Sequence, residues 1–96
     1  MHLTVPCLPQ LESTRSIFDP VVQACYFLPD CRRLWLVIEG CKRQDDYLFF
    51  GCTISQFRRE WGYFWLSEMQ LLRGPLGMPI ERDTVFSPQR LSLLQV

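Results

Sequence analysis

Four runs of apolar and aromatic residues, each followed by turn formers or polar residues, constrain this chain most: Val21 to Leu28, Arg33 to Glu39, Tyr47 to Ile54 and Trp61 to Leu66. Each is six to eight residues long, the length of a strand rather than of an amphipathic helix. Short connections between successive strands force antiparallel pairing, since a parallel pair needs a long crossover. The expected architecture is therefore α+β: an antiparallel meander of four or more strands, with one short helix after the fourth and an ordered Gly/Pro loop beyond it.

The runs differ in how they are covered. Val21 to Leu28 is apolar on both alternating sets, with Gln23 its one polar residue, and reads as a central strand. Pro29-Asp30 supplies turn chemistry. Arg33 to Glu39 alternates: Leu34, Leu36 and Ile38 point to the core, and Arg33, Trp35, Val37 and Glu39 to a partly wet face. Gly40 to Asp46 reads as a polar connection. The third run carries the apolar row Leu48, Phe50, Cys52 and Ile54, with Gly51 marking a bulge or a close backbone approach. Ser55 to Glu60 reads as the next turn, and the fourth strand places Trp61, Tyr63 and Trp65 on one face.

A helix is expected over Glu68 to Arg73, capped by the Ser67 hydroxyl with Gln70 completing a capping box, and stopped by Gly74 and Pro75. Met69 and Leu72 would face the sheet. Residues 1–20 form an irregular lead-in with one helical turn, pinned by Leu8, Leu11, Ile17 and Phe18. A short extended piece is expected around Thr84 to Phe86, and the last run, RLSLLQV, fits strand and helix equally. At 96 residues the chain holds one domain, 1–96.

Composition excludes several function classes. Ten cations balance ten anions, so no net field is available to hold a polyanion non-specifically. The opening residues lack the cationic start and apolar run of a signal peptide, and no apolar stretch approaches the ~20 residues that span a bilayer. Cytoplasmic residence without membrane contact is the expectation. Five cysteines make an odd number, none in a C-x-x-C pair, and His2 is the single histidine. Free thiols, four of them acting as small buried hydrophobes, and no metal centre or cofactor are expected.

Three constellations could carry function. In a meander, alternate turns share one end of the sheet, which puts Arg32 and Arg33 beside Arg58 and Arg59 on a four-arginine rim, with Asp30 and Glu60 near enough to offset part of it. Trp35, Tyr47, Phe49, Trp61, Tyr63 and Trp65 line a second sheet face, suited to the chain's own coverage, to a protein partner or to stacked single-stranded bases. Arg73 to Asp83 (RGPLGMPIERD) is a rigid loop with mixed charges. Glu68, Glu81 and Asp83 would be its carboxylates for a divalent metal or for acid–base work, against a plainer reading of Arg–carboxylate staples. No serine triad or phosphate-loop glycine pattern accompanies them.

From residue 46 to 83, DYLFFG, EWGYFWLSE and RGPLGMPIERD together resemble the bacterial domain of unknown function family 2958, with similarity running from Leu8 to Phe86. Its family-like polar residues here are Glu60, Ser67, Glu68, Arg73, Glu81, Arg82 and Asp83. The chain departs from the pattern at Trp65, where a small polar residue is usual, and in its cysteine-rich first half. The resemblance implies a small bacterial protein of plasmids, phages and other mobile elements, and implies no activity. The leading expectation is a non-enzymatic binding protein contacting a host or defence-system protein, anti-CRISPR-like in effect, with Arg32, Arg33, Arg58, Arg59, Trp61, Trp65, Arg73 and Arg82 as binding residues. The alternatives are a metal-dependent, nuclease-like enzyme using Glu68, Glu81 and Asp83, with Arg73 or Arg82 on phosphate, and a self-associating module that buries its aromatic face in a two-fold dimer.

Overall fold

A computed structural model of the chain describes residues 3–13, 19–56 and 58–94. Its elements are β1 (Val21–Val22), β2 (Ala24–Leu28), β3 (Arg33–Arg43), β4 (Asp46–Ser55), β5 (Arg58–Trp65), helix α1 (Leu66–Leu71), β6 (Glu81–Arg82), β7 (Gln89–Arg90) and a 3-10 turn at Leu91–Leu93. The main sheet is antiparallel, ordered β5-β4-β3-β2-β6, so the four expected strands do form a meander. β1 and β7 make a separate two-stranded ladder. The run Val21 to Leu28 thus serves two sheets, changing over at Gln23.

Two expected connections are strand instead. β3 continues through Cys41, Lys42 and Arg43, which pair with Leu48, Tyr47 and Asp46, leaving only Gln44 and Asp45 to turn, with Gln44 in the left-handed region at φ 55°. Arg58, Arg59 and Glu60 likewise belong to β5 and pair with Ser55, Ile54 and Thr53. Polar residues on exposed strand ends lose nothing by pairing, and a tight hairpin needs very few turn residues. Alternation in composition therefore understates strand length at both hairpins.

The bulge after Val37 turns the buried Glu39 to the face of Phe50, its partner on β4, and the second face of β3, expected to be partly wet, is buried at Trp35 and Val37, both under 4 % exposed. They are covered because the lead-in and helix lie on that side. One core joins Tyr26, Trp35, Val37 and Phe49 to Leu3, Met69 and Ile80. The other joins Val22, Cys25, Leu36, Ile38 and Cys52 to Phe86, Leu91 and Leu94 from the C-terminal segment. Each fully buried large side chain contributes about 1.5–3 kcal/mol. The bulge lies on β3, between Val37 and Glu39, while Gly51 opposite is the close approach: a Cβ there would stand 1.9 Å from the Leu36 carbonyl oxygen.

The lead-in docks by backbone as well as by side chain. Gly40 N–H donates to the Pro9 carbonyl at 3.0 Å, and the Tyr26 hydroxyl to the Thr4 carbonyl at 2.6 Å. Val5 and Leu8 pack against the first core, and one hydrogen-bonded turn, Ser13 N–H to Gln10 carbonyl, follows. Ile17 and Phe18, expected to pin this segment, lie outside the described residues. The expected extended piece is at Glu81–Arg82 rather than Thr84 to Phe86, where a turn begins, because β2 offers its open edge to Glu81 and Arg82. Of the last run, Arg90 belongs to β7 and Leu91–Leu93 to the 3-10 turn. No described helix is long and apolar enough to cross a membrane.

Helix α1 is capped from a distance. Its N-cap is Trp65, whose N–H donates to the Glu68 carboxylate at 3.3 Å. Ser67, the expected cap, sits inside the first turn and gives its N–H and hydroxyl to Asp46 at the start of β4. A carboxylate brought in by the sheet outcompetes a local hydroxyl. The helix stops at Leu71 because Leu72 takes extended backbone (φ −72°, ψ 144°), so Gly74 is not its left-handed stop. Met69 is buried and Leu72 packs beside it, as expected.

Candidate functional site

Residues opposite one another in an antiparallel pair share a face. Trp61, Tyr63 and Trp65 of β5 therefore share theirs with Cys52, Phe50 and Leu48 of β4. They are 47 %, 50 % and 36 % exposed, and Phe50 supports the row from beneath, its ring centroid 6.0 Å from Trp61 and 5.4 Å from Tyr63. Trp35, Tyr47 and Phe49 lie on the opposite face, where Phe49 is fully buried against Tyr47, Tyr26 and Phe64. The six aromatics expected on one face are thus split. Alternation within a strand says nothing of parity between strands, which the register of each hairpin decides.

The row lies on a sheet edge, since β5 pairs only with β4 among the described residues. Arg59 shares its face at one end, opposite Ile54. At the other end Trp65 enters an open depression of about 840 Å³ lined also by Lys42, Arg43, Gln44, Asp46, Ser67 and Glu68. Sequence reasoning missed the depression. The available signal was Trp65 next to a charged hairpin. Asp46, with its carboxylate held by the Ser67 hydroxyl first and by the Tyr47 and Ser67 N–H groups, sits below the usual carboxylate range despite the opposing effect of burial.

The arginine rim assembles as far as topology goes. Ser55 pairs with Arg58 and Leu34 with Ile54, so Arg32, Arg33, Arg58 and Arg59 occupy one end, all exposed. Their surroundings differ. Arg33 lies over the Trp35 ring at 4.9 Å, and Arg58 pairs with Glu60 at 3.7 Å in an exposed contact of little energetic weight. Asp30 reaches across to the later loop, its carboxylate accepting the N–H groups of Leu76 and Met78 at 2.8 and 3.2 Å.

That contact explains the most distinctive segment. Gly74 to Met78 folds around Asp30, closed by Gly74 N–H to Met78 carbonyl at 2.9 Å, and a Cβ on Gly74 would fall 1.5 Å from Asp30 Oδ1. Gly77 supplies the left-handed residue at φ 82°. Arg73 donates to the Gln70 and Leu72 carbonyls at the end of the helix, and Arg82 to the Thr4 hydroxyl at 3.0 Å, so both hold chain segments in place. Glu68 lies beside Trp65, Glu81 opposite Phe27, and Asp83 binds the Val85 N–H. The three carboxylates are not brought together, and the described residues contain no group of three or more His, Cys, Asp or Glu placed to hold a metal ion.

All five cysteines are free, but only Cys25 and Cys52 are buried; Cys41 is half-buried, and Cys7 and Cys31 are exposed. Burial, with Asp83 nearby, pushes the Cys25 thiol up to about 11, and burial raises Cys52 as well.

A family model described as "Protein of unknown function (DUF2958)" matches residues 9–94. No curated protein and no solved structure matches the chain.

Proposed function

The chain belongs to this family of proteins of unknown function, and on that premise we propose that it is a non-catalytic binding protein working through stoichiometric protein–protein contact on the β5 face. The observation that carries the reading is the row Trp61, Tyr63 and Trp65: three large aromatics side by side, each at least a third exposed. Such side chains supply much contact area at low entropic cost, and indole and phenol rings with arginine are the residues that dominate interface energetics. Arg59 and Lys42/Arg43 at the two ends provide the polar rim that an apolar patch of this kind uses for orientation. The partner we propose is a host or defence-system protein met in the bacterial cytoplasm, with the chain carried by a mobile element and blocking that partner's action in an anti-CRISPR-like way.

The test is a pull-down of the tagged full chain from bacterial lysate, with and without nuclease. The expected result is a protein partner at stoichiometric yield, indifferent to nuclease and lost in Trp61→Ala/Trp65→Ala while Arg73→Ala keeps it. Recovery of nucleic acid alone, or capture unaffected by the tryptophans, overturns the reading.

A further inference from the structure

Sheet edges invite pairing with another strand, and proteins blunt them with charge, proline or bulges. β5 is blunted over Arg58 to Glu60 by charge and at Trp65 by the Glu68 carboxylate on its N–H; Trp61 to Phe64 carries no charge, no proline and no register shift. Gly62, in the middle of this strand, adds a second observation. Its φ is not left-handed, and a Cβ built on it meets nothing within 4 Å among the described residues, so neither backbone strain nor crowding by them requires glycine there. A glycine inside a strand often marks the close approach of another backbone.

We infer that β5 pairs antiparallel with β5 of a second copy across a two-fold axis passing through Gly62, joining the two main sheets into one. Opposed residues must share a face, so the axis falls on a residue rather than between two. With the axis on Gly62, Arg59 faces Trp65 of the second copy, a cation over an indole, and Trp61 faces its Tyr63, an aromatic pair. Glu60 faces Phe64, and no like charges meet. An axis on Glu60 would set that carboxylate against itself, and an axis on Trp61 would leave Gly62 without a role. Closure is built in, because each chain spends its β5 edge and pairing ends at two copies. The inference rests on the proposed binding surface and extends it: edge pairing uses the backbone and leaves the side chains facing outward, which doubles the aromatic row into one two-fold platform.

Sedimentation equilibrium of the full chain over about a hundredfold range of concentration tests it. The expected mass is twice the chain's 11.4 kDa, falling to the single value on dilution. Arg59→Glu weakens association about tenfold, since symmetry counts each lost contact twice, and Arg59→Trp/Trp65→Arg keeps it at the wild-type level by reversing the pair. Trp61→Glu/Tyr63→Glu, which opposes carboxylates across the axis, gives a monomer with unchanged far-UV circular dichroism. A wild-type monomer at every concentration, a dimer indifferent to these changes, or a reversed pair that fails to restore association overturns the inference. If a monomer still captures a protein partner through Trp61 and Trp65, the pairing falls and the surface reading stands; if a dimer forms and captures nothing, the pairing stands and the surface reading falls.

Discussion

Substituting Gly74 by alanine isolates the contact that gives the Gly/Pro loop its shape. The new Cβ would stand 1.5 Å from Asp30 Oδ1, a carboxylate held in place by the Leu76 and Met78 N–H groups. Either the carboxylate leaves or the loop does, and both routes break the same two hydrogen bonds. A bond to a charged acceptor is worth about 1.5–3 kcal/mol, and partial exposure puts the pair at roughly 2–3 kcal/mol in total. Gly74→Ala and Asp30→Ala should therefore each cost about 2–3 kcal/mol, which for a chain of this size lowers the melting temperature by about 10–20 °C. The double variant should cost no more than Asp30→Ala alone, a coupling of about 2 kcal/mol, because the clash has no target once the carboxylate is gone. Urea unfolding of the four proteins, followed by tryptophan fluorescence and circular dichroism, measures the cycle. Additive losses, or a Gly74→Ala cost that persists without Asp30, would refute the assignment of this glycine to the Asp30 contact.

The two glycines facing each other across β4 and β5 should behave oppositely: Gly51→Ala meets the Leu36 carbonyl and costs more than about 2 kcal/mol, whereas Gly62→Ala, with open space around it, leaves chemical stability unchanged or raised by about 0.5–1 kcal/mol. Chemical unfolding under dilute conditions separates them. Asp46 has a lowered folded-state pKa, so its contribution is present above its unfolded value and is lost as pH falls through the folded one; Asp46→Asn should flatten the acid limb of a stability–pH curve, and an unchanged limb would remove the distant cap. Thiol titration with a chromogenic disulfide should find Cys7 and Cys31 fast and Cys25 and Cys52 protected until urea is added; five equal rates would contradict the burial described.

The meander was legible because each strand announces itself within six to eight residues, through apolar and aromatic content and the turn formers between runs. Met69 could also be assigned to the core, since it shares a helix face with Leu72, and Leu8 as an apolar anchor of the lead-in. What escaped was set by relative position. The strands hidden in Gly40–Arg43 and Arg58–Glu60 are polar, and only a neighbour's hydrogen bonds make them strand. Arg73 and Arg82 read in sequence as binding residues or as carboxylate staples, because their acceptors, helix carbonyls and Thr4, do not show in sequence as partners.

For the candidate site the same division holds. The residue types of β5, alternating Trp61, Tyr63 and Trp65 after two arginines, are written in the sequence and fix that these rings lie on one face of one strand. Whether that face is covered was decided by tertiary structure: the C-terminal segment covers the face over β2 and β3, and hairpin register sends Trp35 and Phe49 to the other core. Periodicity is a local property of a chain and can be read from it. Register, edge position and the reach of Asp30 to Gly74 are relations between segments, and those exist only once the chain has folded.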